Sequence, residues 1–137
     1  MMGGKEVFVR DGGFDRWRAE GHPVTGEAAK MAHCLFETDF DESRVASLAD
    51  MRRLVEDGSE RVVDARPAGR FTADEPEPRA GMRGGHMPGA ANLPAMSLAE
   101  DGKLLSPDKL REAFSKAGVD LDGPIVTSCG SGVTAAI

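Results

Sequence analysis

The chain has 137 residues, enough for one ordinary domain with a real core. Asp and Glu number 23 against 17 Lys and Arg, and the net charge of −6 argues against nucleic acid or an anionic membrane surface as a partner. No apolar run approaches membrane-spanning length, and Lys5, Glu6, Arg10 and Asp11 interrupt any would-be signal peptide.

In chain order, Glu6–Arg10 alternates weakly and runs into Asp11-Gly12-Gly13, which reads as a strand entering a turn. Phe14 to Glu20 reads as a short helix with Phe14 and Trp17 on one face, stopped by Gly21 and Pro23; Trp17 reads as core packing. Residues 24–42 are charged and lack sustained periodicity, as a linker does. Asp39, Asp41 and Ser43 mimic the first three ligands of a calcium loop, but Arg44 stands where glycine is required, so no calcium site is read there. His33 and Cys34 are adjacent, their side chains diverge in most backbones, and they make a poor metal pair.

Ser47-Leu48-Ala49-Asp50 is a capping-box-like helix start, and Leu48, Met51 and Val55 keep helical spacing as far as Gly58. Arg61 to Ala65 reads as a buried strand, and the polar pair Asp64 and Arg66 stands at its end. From Pro67 to Pro88 there is no convincing periodicity. A loop of that length in a compact domain is functional or disordered, and its arginines argue for function. Ala90–Leu93 is a short strand. Ser106 caps a second helix with Pro107 at its first position, Leu110 and Phe114 on its inner face and Gly118 at its end. Strand, helix and strand with short connections predict an α/β fold: a parallel sheet flanked by helices.

The last stretch carries the chemistry. Ile125-Val126-Thr127-Ser128 reads as a buried strand, Cys129-Gly130-Ser131-Gly132 as a loop, and Val133 to Ile137 as the start of a helix. Strand, loop and helix start point backbone N–H groups inward, where they and the helix dipole favour an anion. A thiol there ionises easily, so the loop reads as a seat for a sulfur nucleophile. Gly130 and Gly132 allow close backbone approach, and Ser131 offers a hydroxyl to whatever sits on the sulfur. A buried structural cysteine beside a glycine-rich turn is the alternative. Cysteine-dependent phosphatases need an arginine six positions after the nucleophile to clamp the dianion. Alanine stands there, Ala135, which excludes phosphoryl chemistry. The only two cysteines, Cys34 and Cys129, are far apart and in no metal-ligand spacing; a reducing cytoplasm suits such a thiolate better than a disulfide framework does.

C-G-S-G-V-T at 129–134 resembles the active-site loop of the 3-mercaptopyruvate sulfurtransferases, in the rhodanese superfamily. V-V-D-A-R-P-A-G-R-F at 62–71, E-P-E-P-R at 75–79 and G-H-M-P-G-A-A-N-L-P at 85–94 resemble the same family's second, catalytic domain. Strand 6–10 with D-G-G-x-x-x-W at 11–17 resembles the end of the first domain. The resemblance implies a rhodanese-like sheet and three segments: 1–23 as the tail of a first domain, 24–42 as linker, and 43–137 as a catalytic domain cut short after its loop. In that fold the final strand lies between the catalytic-loop strand and the first strand. Its absence leaves the sheet incomplete, and the expectation is that Glu6–Arg10 fills the slot, within the chain or in a strand-swapped dimer.

The resemblance also implies roles. Cys129 attacks the sulfur of 3-mercaptopyruvate, forms a persulfide and releases pyruvate; a thiol acceptor, such as a thioredoxin-like protein, or cyanide then takes the sulfur. Ser131 positions the donor or moves a proton beside the sulfur. Arg70 and Arg79 take the donor carboxylate with guanidinium forks, while from the residues alone they read as solvated surface charges among Asp74, Glu75 and Glu77. Gly130, Gly132, Val133 and Thr134 line the substrate loop. Asp64, Arg66 and His86 support the structure, His86 as a satisfied loop histidine rather than a base. The neutral loop favours mercaptopyruvate over thiosulfate, and no metal or organic cofactor is implied. The alternatives are a thiosulfate sulfurtransferase, or a catalytically weak or inactive fragment or regulatory module.

Overall fold

The computed structural model describes residues 2–4, 6–30 and 33–136. It divides into two compact units, residues 1–45 with 101–103, and residues 46–100 with 104–137.

The first unit holds one α-helix, α1 (Gly13–Ala19), and a 3-10 turn at Glu42–Arg44. Trp17 is half-buried rather than in a core. Its ring lies 4.3 Å from that of His22, the Arg10 guanidinium sits 4.8 Å from its centroid, and its Nε1 donates to the Pro23 carbonyl at 2.9 Å. Glu20 collects Arg10 and Arg16 at 2.6 and 2.5 Å on the surface. The strand expected at Glu6–Arg10 is not formed: the described residues there carry no strand, and Val7, Phe8 and Val9 are exposed. Alternation and β-branching express a fit to a neighbouring strand, and none of the described residues supplies one. Asp41 accepts from the Ser43 amide and from Arg44 Nε, so it closes a turn and pairs with the guanidinium beside it.

In the second unit, helix α2 (Leu48–Asp57) starts at a complete capping box. Ser47 Oγ accepts from the Asp50 amide at 3.2 Å, and the Ser47 amide donates to Asp50 Oδ2 at 2.9 Å. It ends at Gly58, whose φ of 63° suits glycine best. Leu54 is the residue α2 buries fully; Leu48, in the first turn, is exposed.

Strand β1 (Arg61–Asp64) lies at the centre of a three-stranded parallel sheet, between β2 (Ala91–Asn92) and β5 (Ile125–Ser128). Val62, Val63 and Asp64 are all buried, the continuous pattern of a parallel strand covered on both faces. Ala99–Glu100 (β3) and Lys103–Leu104 (β4) form a separate two-stranded ladder. Helix α4 (Pro107–Lys116) presents Ala113 and Phe114 to a core of Val63, Leu93 and Val119. The side-chain cap expected of Ser106 is not made, while Pro107 stands at the first helical position as expected.

The long segment after β1 is not wholly irregular. It opens with a short helix, α3 (Ala68–Thr72), that carries Arg70. Five residues are too few to display a 3.6-residue period, and Gly69 lowers helix propensity, so nothing in the pattern marks it. Its place matters: α3 follows directly from the carboxyl end of the central strand, where parallel sheets gather ligands.

Candidate active site

Register brings the site together. Asp64 pairs with Ser128 across β1 and β5, and with Asn92 across β1 and β2. The Ala65 amide then donates to the Ser128 carbonyl at 2.8 Å, which fixes the point where the chain leaves β5 for Cys129.

Cys129 Sγ accepts from the Gly132 amide at 3.0 Å and from the Ser131 amide at 3.4 Å. Partial burial of the thiol opposes its ionisation. The Thr134 hydroxyl and the amides of Ser131, Ala135 and Gly132 outweigh that effect and bring the pKa down to about 6. Cys129 is therefore mostly thiolate at neutral pH. The helix expected from Val133 is, over the described residues, a 3-10 turn at Thr134–Ala136. Single hydrogen bonds from the loop and this turn hold the charge. The Thr127 hydroxyl donates to the Ala135 carbonyl at 2.6 Å and ties that turn to β5. Ser131 reaches the sulfur through its amide, while its hydroxyl lies 3.5 Å from the Val133 amide. Val133 points to solvent.

Beside the loop runs a ladder of alternating charge. Asp64, 1% exposed, accepts from Arg66 Nε at 3.0 Å and Nη2 at 2.5 Å. Arg66 Nη1 donates to Glu77 Oε1 at 2.7 Å, and its Nη2 also donates to the Gly85 carbonyl at 2.7 Å. Glu77 in turn accepts from Arg70 Nε at 3.1 Å and Nη2 at 2.5 Å. The hydrogen bond from Arg70 and the second from Arg66 hold the Glu77 carboxyl below its ordinary range; Arg70 is raised in return. The Glu77 side chain is only 2% exposed. At the end of the ladder, a Cβ on Gly130 would fall 2.7 Å from Arg70 Nη2, so a side chain there would displace the guanidinium from its place against the Cys129 loop.

Arg66, Arg70, Glu77 and Arg79 line one cleft with Gly130, Ser131 and Thr134. Arg79 is exposed and makes no ion pair among the described residues. His86 borders a second cleft that reaches Cys129. Its ring stacks on Phe71 at 3.6 Å, and its Nδ1 meets the Phe71 carbonyl at 2.8 Å, so Nδ1 carries the proton. A third depression, lined by Leu54, Gly58, Arg61 and Pro124, carries no nucleophile. Among the described residues no three His, Cys, Asp or Glu side chains group as metal ligands, and no helix is long and apolar enough to cross a membrane.

The first cleft thus brings together Ser131, Thr134, Arg66, Arg70 and Arg79, while Cys129 borders the second with Asp64 and His86, and Arg66 lines both. Glu77 is the member that sequence reasoning passed over. It counted only as an acidic neighbour, and its one signal was its place between two prolines in E-P-E-P-R.

The rhodanese-like domain family matches residues 47–137. The chain belongs to the rhodanese family. This rhodanese is 37% identical over 136 residues to the 3-mercaptopyruvate sulfurtransferase of Escherichia coli K12, covering 99% of this chain and 48% of that protein. It is 38% identical to the thiosulfate sulfurtransferase of Cricetulus griseus, covering 98% of this chain and 46% of that one. Among solved structures it superposes on the 3-mercaptopyruvate sulfotransferase SseA of Escherichia coli with a TM-score of 0.87 at 34% identity, over 98% of this chain and 50% of that chain. The chain spans about half the length of the curated relatives it matches.

Proposed function

We propose that this rhodanese is a sulfurtransferase that carries sulfane sulfur on Cys129 and takes it from 3-mercaptopyruvate. The observation that carries the reading is the sulfur's cradle: two loop amides at 3.0 and 3.4 Å and the Thr134 hydroxyl favour the thiolate, and the loop that carries it borders a cleft lined by Arg66, Arg70 and Arg79. The thiolate attacks the donor sulfur and the C–S bond breaks. Cys129 becomes a persulfide, and the enolate of pyruvate leaves and picks up a proton. The amides that hold the thiolate serve the anionic persulfide as well. Arg79 and the donors of Arg70 that Glu77 leaves free bind the carboxylate of the 2-oxo acid. A thiol, such as that of a thioredoxin-like protein, or cyanide then removes the outer sulfur and returns the thiolate.

Thiosulfate is the second reading, favoured by a relative of that name at 38% identity against 37% for one named for mercaptopyruvate. The test is mass spectrometry of the intact protein after exposure to each donor, with Cys129→Ser as control. Gain of one sulfur atom on Cys129 from mercaptopyruvate, absent in the variant, is expected. A folded protein that gains sulfur from neither donor is a non-catalytic module.

A further inference from the structure

Glu77 spends both of its oxygens on Arg66 and Arg70 and nothing on the Cys129 loop itself. Arg70 therefore stands against Gly130 as half of a neutral pair. Arg66, Arg70 and Arg79 line the cleft with the Glu77 carboxylate, and Asp64 pairs with Arg66 from the neighbouring cleft that Arg83 and Cys129 share, so Arg79 is the guanidinium of this cleft with no ion pair among the described residues. We propose that Glu77 is a specificity-determining residue: by cancelling Arg70 it fits the cleft to a singly charged sulfur donor and disfavours a doubly charged one.

The proposal rests on the sulfurtransferase reading and deepens it. Mercaptopyruvate brings one negative charge to the thiolate; thiosulfate brings two. Attack on mercaptopyruvate forms the Cys129 S–S bond and breaks C–S, with the electron pair leaving on the enolate. Attack on thiosulfate forms the same bond and breaks the donor's S–S bond, with the pair leaving on sulfite. Charge is conserved in both, and the thiosulfate complex stays one unit more negative throughout. A cation freed at the cleft therefore favours thiosulfate over mercaptopyruvate in binding and in the transition state alike.

Three variants separate charge from position. Glu77→Gln keeps shape and removes the charge. Glu77→Asp keeps the charge and shortens the reach. Met96→Lys adds a cation to the same cleft from a side chain that is 77% exposed and outside the ladder, so it does not depend on the buried carboxylate for folding. The reading is the ratio of kcat/KM for thiosulfate to that for mercaptopyruvate, each followed by Cys129 persulfide formation. The ratio is expected to rise about tenfold in Glu77→Gln and severalfold in Met96→Lys, and to stay within about twofold of wild type in Glu77→Asp. An unchanged ratio in both Glu77→Gln and Met96→Lys overturns the proposal, as does an equal rise in Glu77→Asp, which makes the effect positional. If the wild-type protein loads sulfur from neither donor, the sulfurtransferase reading itself has failed, an outcome distinct from an active enzyme whose ratio does not move.

Discussion

Thr134→Val removes one hydroxyl from the Cys129 cradle and leaves the size of the side chain nearly unchanged. That hydroxyl is the foremost of the groups that favour the thiolate, ahead of the amides of Ser131, Ala135 and Gly132. A hydrogen bond to a charged partner contributes about 1.5–3 kcal/mol, and one pKa unit corresponds to about 1.4 kcal/mol. The sulfur is only half-buried, so the lower end applies and the midpoint should rise from about 6 to about 7. At pH 6.5 the thiolate fraction then falls from about three quarters to about one quarter, and alkylation slows about threefold; above pH 9 both proteins are fully ionised. The assay is the pH dependence of iodoacetamide alkylation in a Cys34→Ser background, because Cys34 is exposed and reacts too. The midpoint is the quantity to read, since thiolate nucleophilicity itself rises with pKa. An unshifted midpoint refutes the assignment of Thr134 as a donor to the sulfur.

Arg70→Ala and Arg79→Ala should each raise KM for mercaptopyruvate about tenfold or more with kcat less affected, read in steady-state kinetics; wild-type KM in both makes them surface charges. Gly130→Ala places a Cβ 2.7 Å from Arg70 Nη2, so it should raise the same KM while the alkylation midpoint of Cys129 stays near 6. Asp64→Asn leaves Arg66 without its buried carboxylate and should cost about 3 kcal/mol in urea denaturation; a loss under about 1 kcal/mol contradicts the ladder as a structural element. The folded pKa of Cys129 is depressed, so the thiolate's contribution to stability is complete above the unfolded value of about 8.5 and is lost as pH falls through about 6. Cys129→Ser should flatten the denaturation midpoint over that window, and an unchanged pH dependence denies the thiolate this role.

What the sequence settled by itself is what neighbours along the chain decide. The capping box at Ser47 and Asp50, the β-branched runs at 61–64 and 125–128 and the loop at 129–132 all rest on residues within four positions of one another. The cap's hydrogen bonds and the runs' β-branched composition are local, so the pattern carries them; which strands pair, 61–64 with 125–128, it does not carry. The Cys129 loop and the cradle of its sulfur were legible for the same reason: Sγ, its amides and the Thr134 hydroxyl lie within six residues.

Tertiary structure decided the rest. Glu77 looks like one more acidic residue until β1, α3 and the loop after it bring Arg66 and Arg70 to its two oxygens, eleven and seven positions away. Arg70 is held by Glu77 in a place that a side chain on Gly130, sixty residues on, would crowd. Residues 6–10 show the converse. Their alternating pattern is that of a strand, but a strand is made by its partner, and among the described residues none pairs with it.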